Sequence, residues 1–179
     1  MKTVLWASAL ALCLPVMAAA QECAMTVSQP VVDYGQTQRA QLLEGARTGQ
    51  HLLVGTRVVT LNLSCAENAS VALSFNGEAV GSEGYRFAQG GLFTLKVLSA
   101  QLDGQPVRMV KRAAGASAQG VDDQLRPGVS LVPVGPSQIA RGAKFSAQVE
   151  VKTYVHERDT EARSLNEWDG GGQFSVDTF

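Results

Sequence analysis

Few residues in this sequence of 179 amino acids have the types and spacing that chemistry requires. The two histidines, His51 and His156, are far apart and have no acidic or cysteine neighbour at metal-ligand spacing, so we expect no metal site. Asp122-Asp123 and the charged run from Glu157 to Glu161 are typical of solvated loops. The Ser-x-Gly patterns lack the strand, turn and helix context of a nucleophile elbow. We therefore expect no enzymatic activity and no cofactor.

The first twenty residues have the three parts of a secretory signal. Lys2 precedes an apolar run from Val4 to Val16, and Ala18-Ala19-Ala20 supplies small residues before Gln21. The apolar run is too short for a transmembrane helix. We predict a signal peptide at residues 1–20, cleavage after Ala20 and export of the remaining chain.

The cysteines fit an exported protein. Cys13 is expected to leave with the signal peptide, so Cys23 and Cys65 remain. In exported proteins two cysteines form a disulfide more often than a metal site. A bond between them would close a loop of about 42 residues and stabilise the fold by about 4 kcal/mol in the chain-entropy model.

The expected mature chain, residues 21–179, is long enough for one domain with a hydrophobic core. Without Lys2, it carries 14 basic and 16 acidic side chains, a formal charge of −2. This balance gives no electrostatic reason to expect nucleic acid or an anionic membrane surface as a partner. No second apolar stretch approaches the length of a membrane span.

Alternation of apolar and polar residues dominates the mature chain and predicts half-buried β-strands. The inward-facing sets are Val59, Leu61, Leu63 and Cys65; Val71, Leu73 and Phe75; Phe93, Leu95 and Val97; Phe145, Ala147, Val149, Val151, Thr153 and Val155; and Phe174 and Val176.

Turn residues separate these strands. Asn76-Gly77 predicts a turn, and the stretch from Leu102 to Pro106 predicts a hairpin between two strands. Pro133 confines its short apolar segment to a sheet edge or a strand end. We interpret the stretches from Thr37 to Glu44 and from Arg112 to Gly128 as loops. Regular strands, turns and a disulfide together predict an antiparallel, immunoglobulin-like sandwich.

Four segments of the chain together form a pattern. The chain has a first strand with a cysteine from Cys23 to Val27, an aspartate-aromatic-glycine stretch from Val32 to Gly35, and a second strand from Val58 that ends in Cys65. A glycine-preceded alternating strand from Phe174 to Phe179 completes the pattern. This pattern resembles that of pilin subunits of the chaperone-usher pathway, in a divergent branch. The chain departs from it at Thr178-Phe179, since these subunits usually have a penultimate tyrosine.

The resemblance implies an all-β, incomplete immunoglobulin-like antiparallel sandwich with one disulfide. Its missing strand leaves a groove, and the residues implied to line this groove are Met25, Val27, Phe174, Val176 and Phe179. A periplasmic pilus chaperone, and then a neighbouring pilus subunit, would insert an extended strand there. The terminal carboxylate at Phe179 would anchor the chaperone.

The resemblance also implies an outer-membrane usher as a partner, a passage through the periplasm and a final place in a cell-surface fimbria. The main alternative is a self-complete periplasmic or secreted immunoglobulin-like domain that binds a ligand. In that case Phe174, Val176 and the stripe from Phe145 to Val155 are ordinary core.

The predicted cleavage site has a consequence for the position in the fibre. Pilins carry a donor extension of ten or more residues before the first-strand cysteine, whereas cleavage after Ala20 leaves Gln21 and Glu22. Two residues span at most about 7 Å. The expected subunit accepts a strand but gives none, which places it at the fibre tip, where adhesion is a further expected role.

Mass spectrometry of the exported protein tests this expectation. The predicted mature chain begins at Gln21. A mature chain that retains ten residues ahead of Cys23 would remove the argument for a tip position.

Overall fold

The computed structural model describes residues 23–112, 119–135, 138–161 and 167–179. The chain forms β1 (Cys23–Val27), α1 (Arg39–Glu44), β2 (Arg47–Thr48), β3 (His51–Ala69), β4 (Val71–Gly77), β5 (Ala79–Val80), β6 (Gly84–Phe87), β7 (Gly91–Leu102), β8 (Gln105–Lys111), β9 (Gln119–Val121), β10 (Leu131–Val134), β11 (Gly142–His156), a 3-10 helix (Glu157–Thr160) and β12 (Gly172–Thr178). The predicted all-β class with antiparallel pairing is confirmed.

The main strands follow one path, β1-β3-β11-β7-β8-β10-β4-β12, and each neighbouring pair is antiparallel. β8 pairs with β7 through its first residues and with β10 through its last ones, so the path passes from one sheet to the other within this strand. The first and last strands of the chain therefore lie at the two ends of the path.

The predicted alternation on β3 and β11 matches the observed burial. On β3, Val59, Leu61 and Leu63 are buried while their neighbours are more exposed. On β11, Phe145 and Val149 are buried in the same core. Because β11 lies between β3 and β7, the buried residues of these neighbouring strands form one side of the main core.

A short segment completes the middle of β7. The amide of Val97 donates to the carbonyl of Asp123 (2.6 Å), and the amide of Leu125 donates to the carbonyl of Leu95 (3.0 Å). The Leu125 side chain is 1% exposed within the core. This backbone pairing covers an edge that β6 and β8 leave open on β7.

The predicted hairpin between β7 and β8 is present. Asp103 and Gly104 have positive φ angles of 49° and 78°, as expected for a two-residue hairpin turn. The Asp103 carboxylate also accepts hydrogen bonds from the amides of Ala143 (3.1 Å) and Lys144 (2.8 Å). The same turn therefore holds the start of β11.

The predicted disulfide joins β1 to β3. Cys23 and Cys65 are directly opposite in the antiparallel register and are linked by an S–S bond of 2.08 Å. The bond fixes the beginning of β1, a strand of five residues that pairs with β3 alone within the described ranges. It joins two neighbouring strands of one sheet.

Two loop predictions are wrong in part. Within the stretch from Thr37 to Glu44, residues Arg39–Glu44 form α1, because Leu42 is buried against Leu52 and Val155. Within the stretch from Arg112 to Gly128, β9 pairs with β8. α1 depends on contact with Val155 of the distant strand β11, and β9 depends on pairing with the preceding strand β8. The periodicity of the sequence reports neither contact.

The turn into β12 provides a stability test. A Cβ atom on Gly172 would overlap the ring of Phe75 and the carbonyl oxygen of Asn76, whereas a Cβ atom on Gly171 would have nothing within 4 Å. We expect Gly172→Ala to lower the free energy of unfolding by about 1 to 3 kcal/mol through overpacking. Urea unfolding of the oxidised chain measures it. Gly171→Ala is the matched control and should change the midpoint little; equal effects of both substitutions would contradict the packing.

Candidate functional site

The two ends of the strand path form the candidate site. Among the described residues, β1 pairs with β3 alone and β12 pairs with β4 alone. Each strand therefore has one edge without a strand partner. We call the space between these two edges the gap, and β1 and β12 its walls.

The backbone register shows which groups face the gap. Phe179 and Ser70 exchange two backbone hydrogen bonds of 3.0 and 3.2 Å, so this is a hydrogen-bonded pair of the β4–β12 ladder. Such pairs alternate along antiparallel strands, and the backbone groups of Phe174, Val176 and Thr178 consequently point away from β4. Directly after β1, the amide of Ser28 donates to the carbonyl of Thr60. The backbone groups of β1 therefore alternate in the same way between pointing toward β3 and pointing away from it.

The side chains of the walls leave the core partly open. Met25 and Val27 on β1, and Phe174 and Val176 on β12, pack against the main core but remain half-buried. Their register partners on the inner strands are Leu63, Leu61, Phe75 and Leu73, which are 1% to 7% exposed. The wall residues thus offer both unpaired backbone groups and apolar side chains that another strand could cover.

An aromatic cluster supports one end of β12. Phe75 contacts Tyr85, Phe93 and Phe174 with ring centroids 4.7, 5.7 and 4.9 Å apart, all in edge-to-face geometry. The Tyr85 hydroxyl donates to the carbonyl of Phe75 (3.1 Å), and burial raises the pKa of Tyr85 to about 12. The hydroxyl therefore stays neutral at physiological pH and keeps its donor role.

The chain after β1 is held against β3 and β11. The Tyr34 ring lies over Gly55, and its hydroxyl is 2.8 Å from Oγ1 of Thr153. Burial raises the pKa of Tyr34, although the Thr153 hydrogen bond and the positive charge of Arg57 oppose this shift. This contact fixes the aspartate-aromatic-glycine stretch and with it the path of the chain beyond β1.

Phe179 lies apart from the half-buried row. Its backbone extends the pairing with β4 to Ser70, and its side chain is 44% exposed. The guanidinium carbon of Arg112 is 4.2 Å from the ring centroid, a cation–π contact. Of the five groove residues predicted from sequence, Met25, Val27, Phe174 and Val176 face the core, and Phe179 stacks with Arg112.

The outward faces of the walls are almost uncharged. Ala24 and Thr26 lie on β1, and Gln173, Ser175 and Asp177 lie on β12. The Ser175 hydroxyl is 2.8 Å from that of Ser74 and accepts from Asn76 Nδ2 at 3.0 Å. Asp177 is exposed and has no ion-pair partner within 4 Å in the part of the chain that the structure describes.

The structure brings together the two histidines, which their separation in the sequence does not suggest. His51 and His156 are opposite each other in the β3–β11 register, with ring centroids 5.4 Å apart. His51 Nε2 donates to the carbonyl of Gly90 (3.1 Å), and His156 Nε2 donates to Oε1 of Gln50 (3.0 Å). Only the register of two distant strands could have revealed this pair. Within the described ranges, no three His, Cys, Asp or Glu residues are arranged to hold a metal ion.

The two charged stretches that were predicted to be solvated loops form ion pairs, and Glu157–Thr160 of the second stretch form a 3-10 helix instead of a loop. Asp123 is 3.2 Å from Lys96, and Asp122 is 3.8 Å from Arg126, a partly buried pair. Glu161 is 3.6 Å from Arg39 of α1. Exposed pairs contribute little to stability, and none of these residues lies on a wall of the gap.

No described helix is long and apolar enough to cross a membrane.

Comparisons with known proteins find a likeness among solved structures. No protein-family model matches the sequence, and no curated protein is detectably similar to it. Among solved structures, the crystal structure of the P pilus rod subunit PapA aligns with 87% of this chain and 99% of that chain, at 12% sequence identity and a TM-score of 0.42. A likeness of this size does not define what the chain does.

Proposed function

We propose that this chain is a structural subunit of a chaperone-usher pilus, and that its gap accepts an extended strand from a partner protein. The observation that carries this proposal is the half-buried apolar row on both β1 and β12, combined with the unpartnered backbone edges of the same two strands. The signal peptide predicted at residues 1–20, which lie outside the described residues, and the sequence resemblance to pilins agree with it.

The edges explain why a strand is the favoured occupant. Each wall presents backbone donors and acceptors at a period of two residues, and apolar side chains alternate with polar ones at the same period. An extended peptide has this period too, so it can pair with the backbone of a wall and cover the open core at once. A compact ligand would satisfy the core or the backbone groups, but not both along a strand of seven residues.

The partners follow from this mode of binding. A periplasmic chaperone would fill the gap first, because an exposed apolar edge promotes aggregation. A neighbouring pilus subunit would replace it during assembly at an outer-membrane usher. The chain would then reside in a cell-surface fimbria, with adhesion as an additional role if it occupies the tip.

Periplasmic expression tests the proposal. We expect the chain expressed alone to aggregate or to be degraded, and co-expression of a periplasmic pilus chaperone to give a soluble complex that contains both proteins. The measurements are the soluble yield and co-purification with the tagged chaperone. A soluble, monomeric chain that unfolds cooperatively without any partner would contradict the proposal and would favour a self-complete binding domain.

Two substitutions on β12 serve as a matched pair in this experiment. Val176→Asp places a charge in the half-buried row, whereas Gln173→Asp places the same charge at an exposed position of the same strand. Rescue by the chaperone should be lost for Val176→Asp and retained for Gln173→Asp. Rescue of both variants would mean that the chaperone acts elsewhere on the chain.

A further inference from the structure

The outward faces of the walls indicate which charge the outward residues of the partner strand should have. We propose that the strand that fills the gap carries a lysine or arginine on its outward face next to Asp177. This inference rests on the proposed function and adds the charge preference of the site to it.

Asp177 has no cation to neutralise it on its own sheet. Its register partner on β4 is Ala72, which offers only a methyl group and is fully buried. No ion pair within 4 Å includes Asp177 in the ranges that the structure describes. Since β4 occupies one side of β12, a strand in the gap is the remaining neighbour that could place a cation beside this carboxylate.

A cation that contacts Phe179, close to Asp177 along the chain, is already engaged with that ring. The Arg112 guanidinium lies over the ring of Phe179, at 4.2 Å from its centroid, two residues beyond Asp177. Arg112 forms no ion pair with Asp177 within 4 Å, so the described residues offer no direct contact that neutralises this carboxylate.

The other outward positions bordering the gap give no competing preference. Ala24 and Thr26 on β1 and Gln173 on β12 are uncharged, and the Ser175 hydroxyl is occupied by Ser74 and Asn76. Asp177 is thus the one charged side chain among the outward residues of the described walls. Among the outward side chains of the walls, Asp177 alone can give the gap a charge preference.

Opposite charges at directly facing positions of neighbouring strands stabilise the pair, and like charges destabilise it. The two effects add when a lysine peptide is compared with a glutamate peptide, and together they correspond to about a threefold to tenfold difference in Kd. Both orientations of the inserted strand place an outward residue beside Asp177, so the preference holds for either direction.

Three synthetic peptides test the proposal on the oxidised chain. Each is an extended nine-residue peptide with valine and isoleucine at the inward positions, and the outward positions are all lysine, all glutamine or all glutamate. Fluorescence anisotropy at low ionic strength measures Kd. We expect the affinities to fall in the order lysine, glutamine, glutamate, and the differences to shrink at high salt because the pair is exposed.

Variants separate the local effect from the net negative charge of the chain. Asp177→Asn should remove most of the difference between the lysine and glutamate peptides, and Asp177→Lys should reverse it. Glu44→Gln changes the net charge equally on an exposed residue of α1 and should leave the order unchanged.

Equal affinity of the three peptides for the unsubstituted chain would overturn the charge preference while leaving strand acceptance intact. An unchanged preference in Asp177→Asn would also overturn it, since the selectivity would then arise elsewhere. Failure of the glutamine peptide and both others to bind at all would overturn strand acceptance itself.

Discussion

Backbone groups beside an apolar core must find hydrogen-bond partners, and the described strand path leaves that requirement unmet at its two ends. Among the described residues, β3, β11, β7, β8, β10 and β4 each have neighbours on both sides, whereas β1 and β12 have one strand partner each. This one constraint explains why three features of the walls matter for binding. They are the half-buried apolar residues, the almost uncharged outward faces and the single side-chain carboxylate of Asp177.

Different contacts hold the two walls in place. The Cys23–Cys65 bond fixes the start of β1, and the packing of Tyr34 over Gly55 fixes the chain beyond it. On the other wall, Gly172 lets β12 approach the ring of Phe75, which packs against Phe174. An acceptor needs such preorganised walls, because a strand that had to order them on binding would bind more weakly.

The alternation of apolar and polar residues predicted the strands and their inward-facing rows, because successive side chains of a strand point to opposite faces of the sheet. The cysteine count predicted the disulfide, because two cysteines in an exported protein form a disulfide more often than a metal site. Contacts between distant segments could not be predicted this way, and α1 and the His51–His156 pair depend on them. The short strand β9 pairs with the preceding strand, but its own sequence has no alternation that predicts it. Four of the five predicted groove residues face the core, but the contact of Phe179 with Arg112 required the β4–β12 register to be known.

Hydrogen–deuterium exchange tests the open walls most directly, with residue-level mass spectrometry on the oxidised chain refolded at high dilution. In β12, the amides of Phe174, Val176 and Thr178 should exchange much faster than those of their neighbours, because they face the gap. β11, which is paired on both sides, should show no such alternation. An inserted strand should remove the alternation in β12. Uniform protection of β12 in the unbound chain would contradict the account, since the gap would then be closed without a partner.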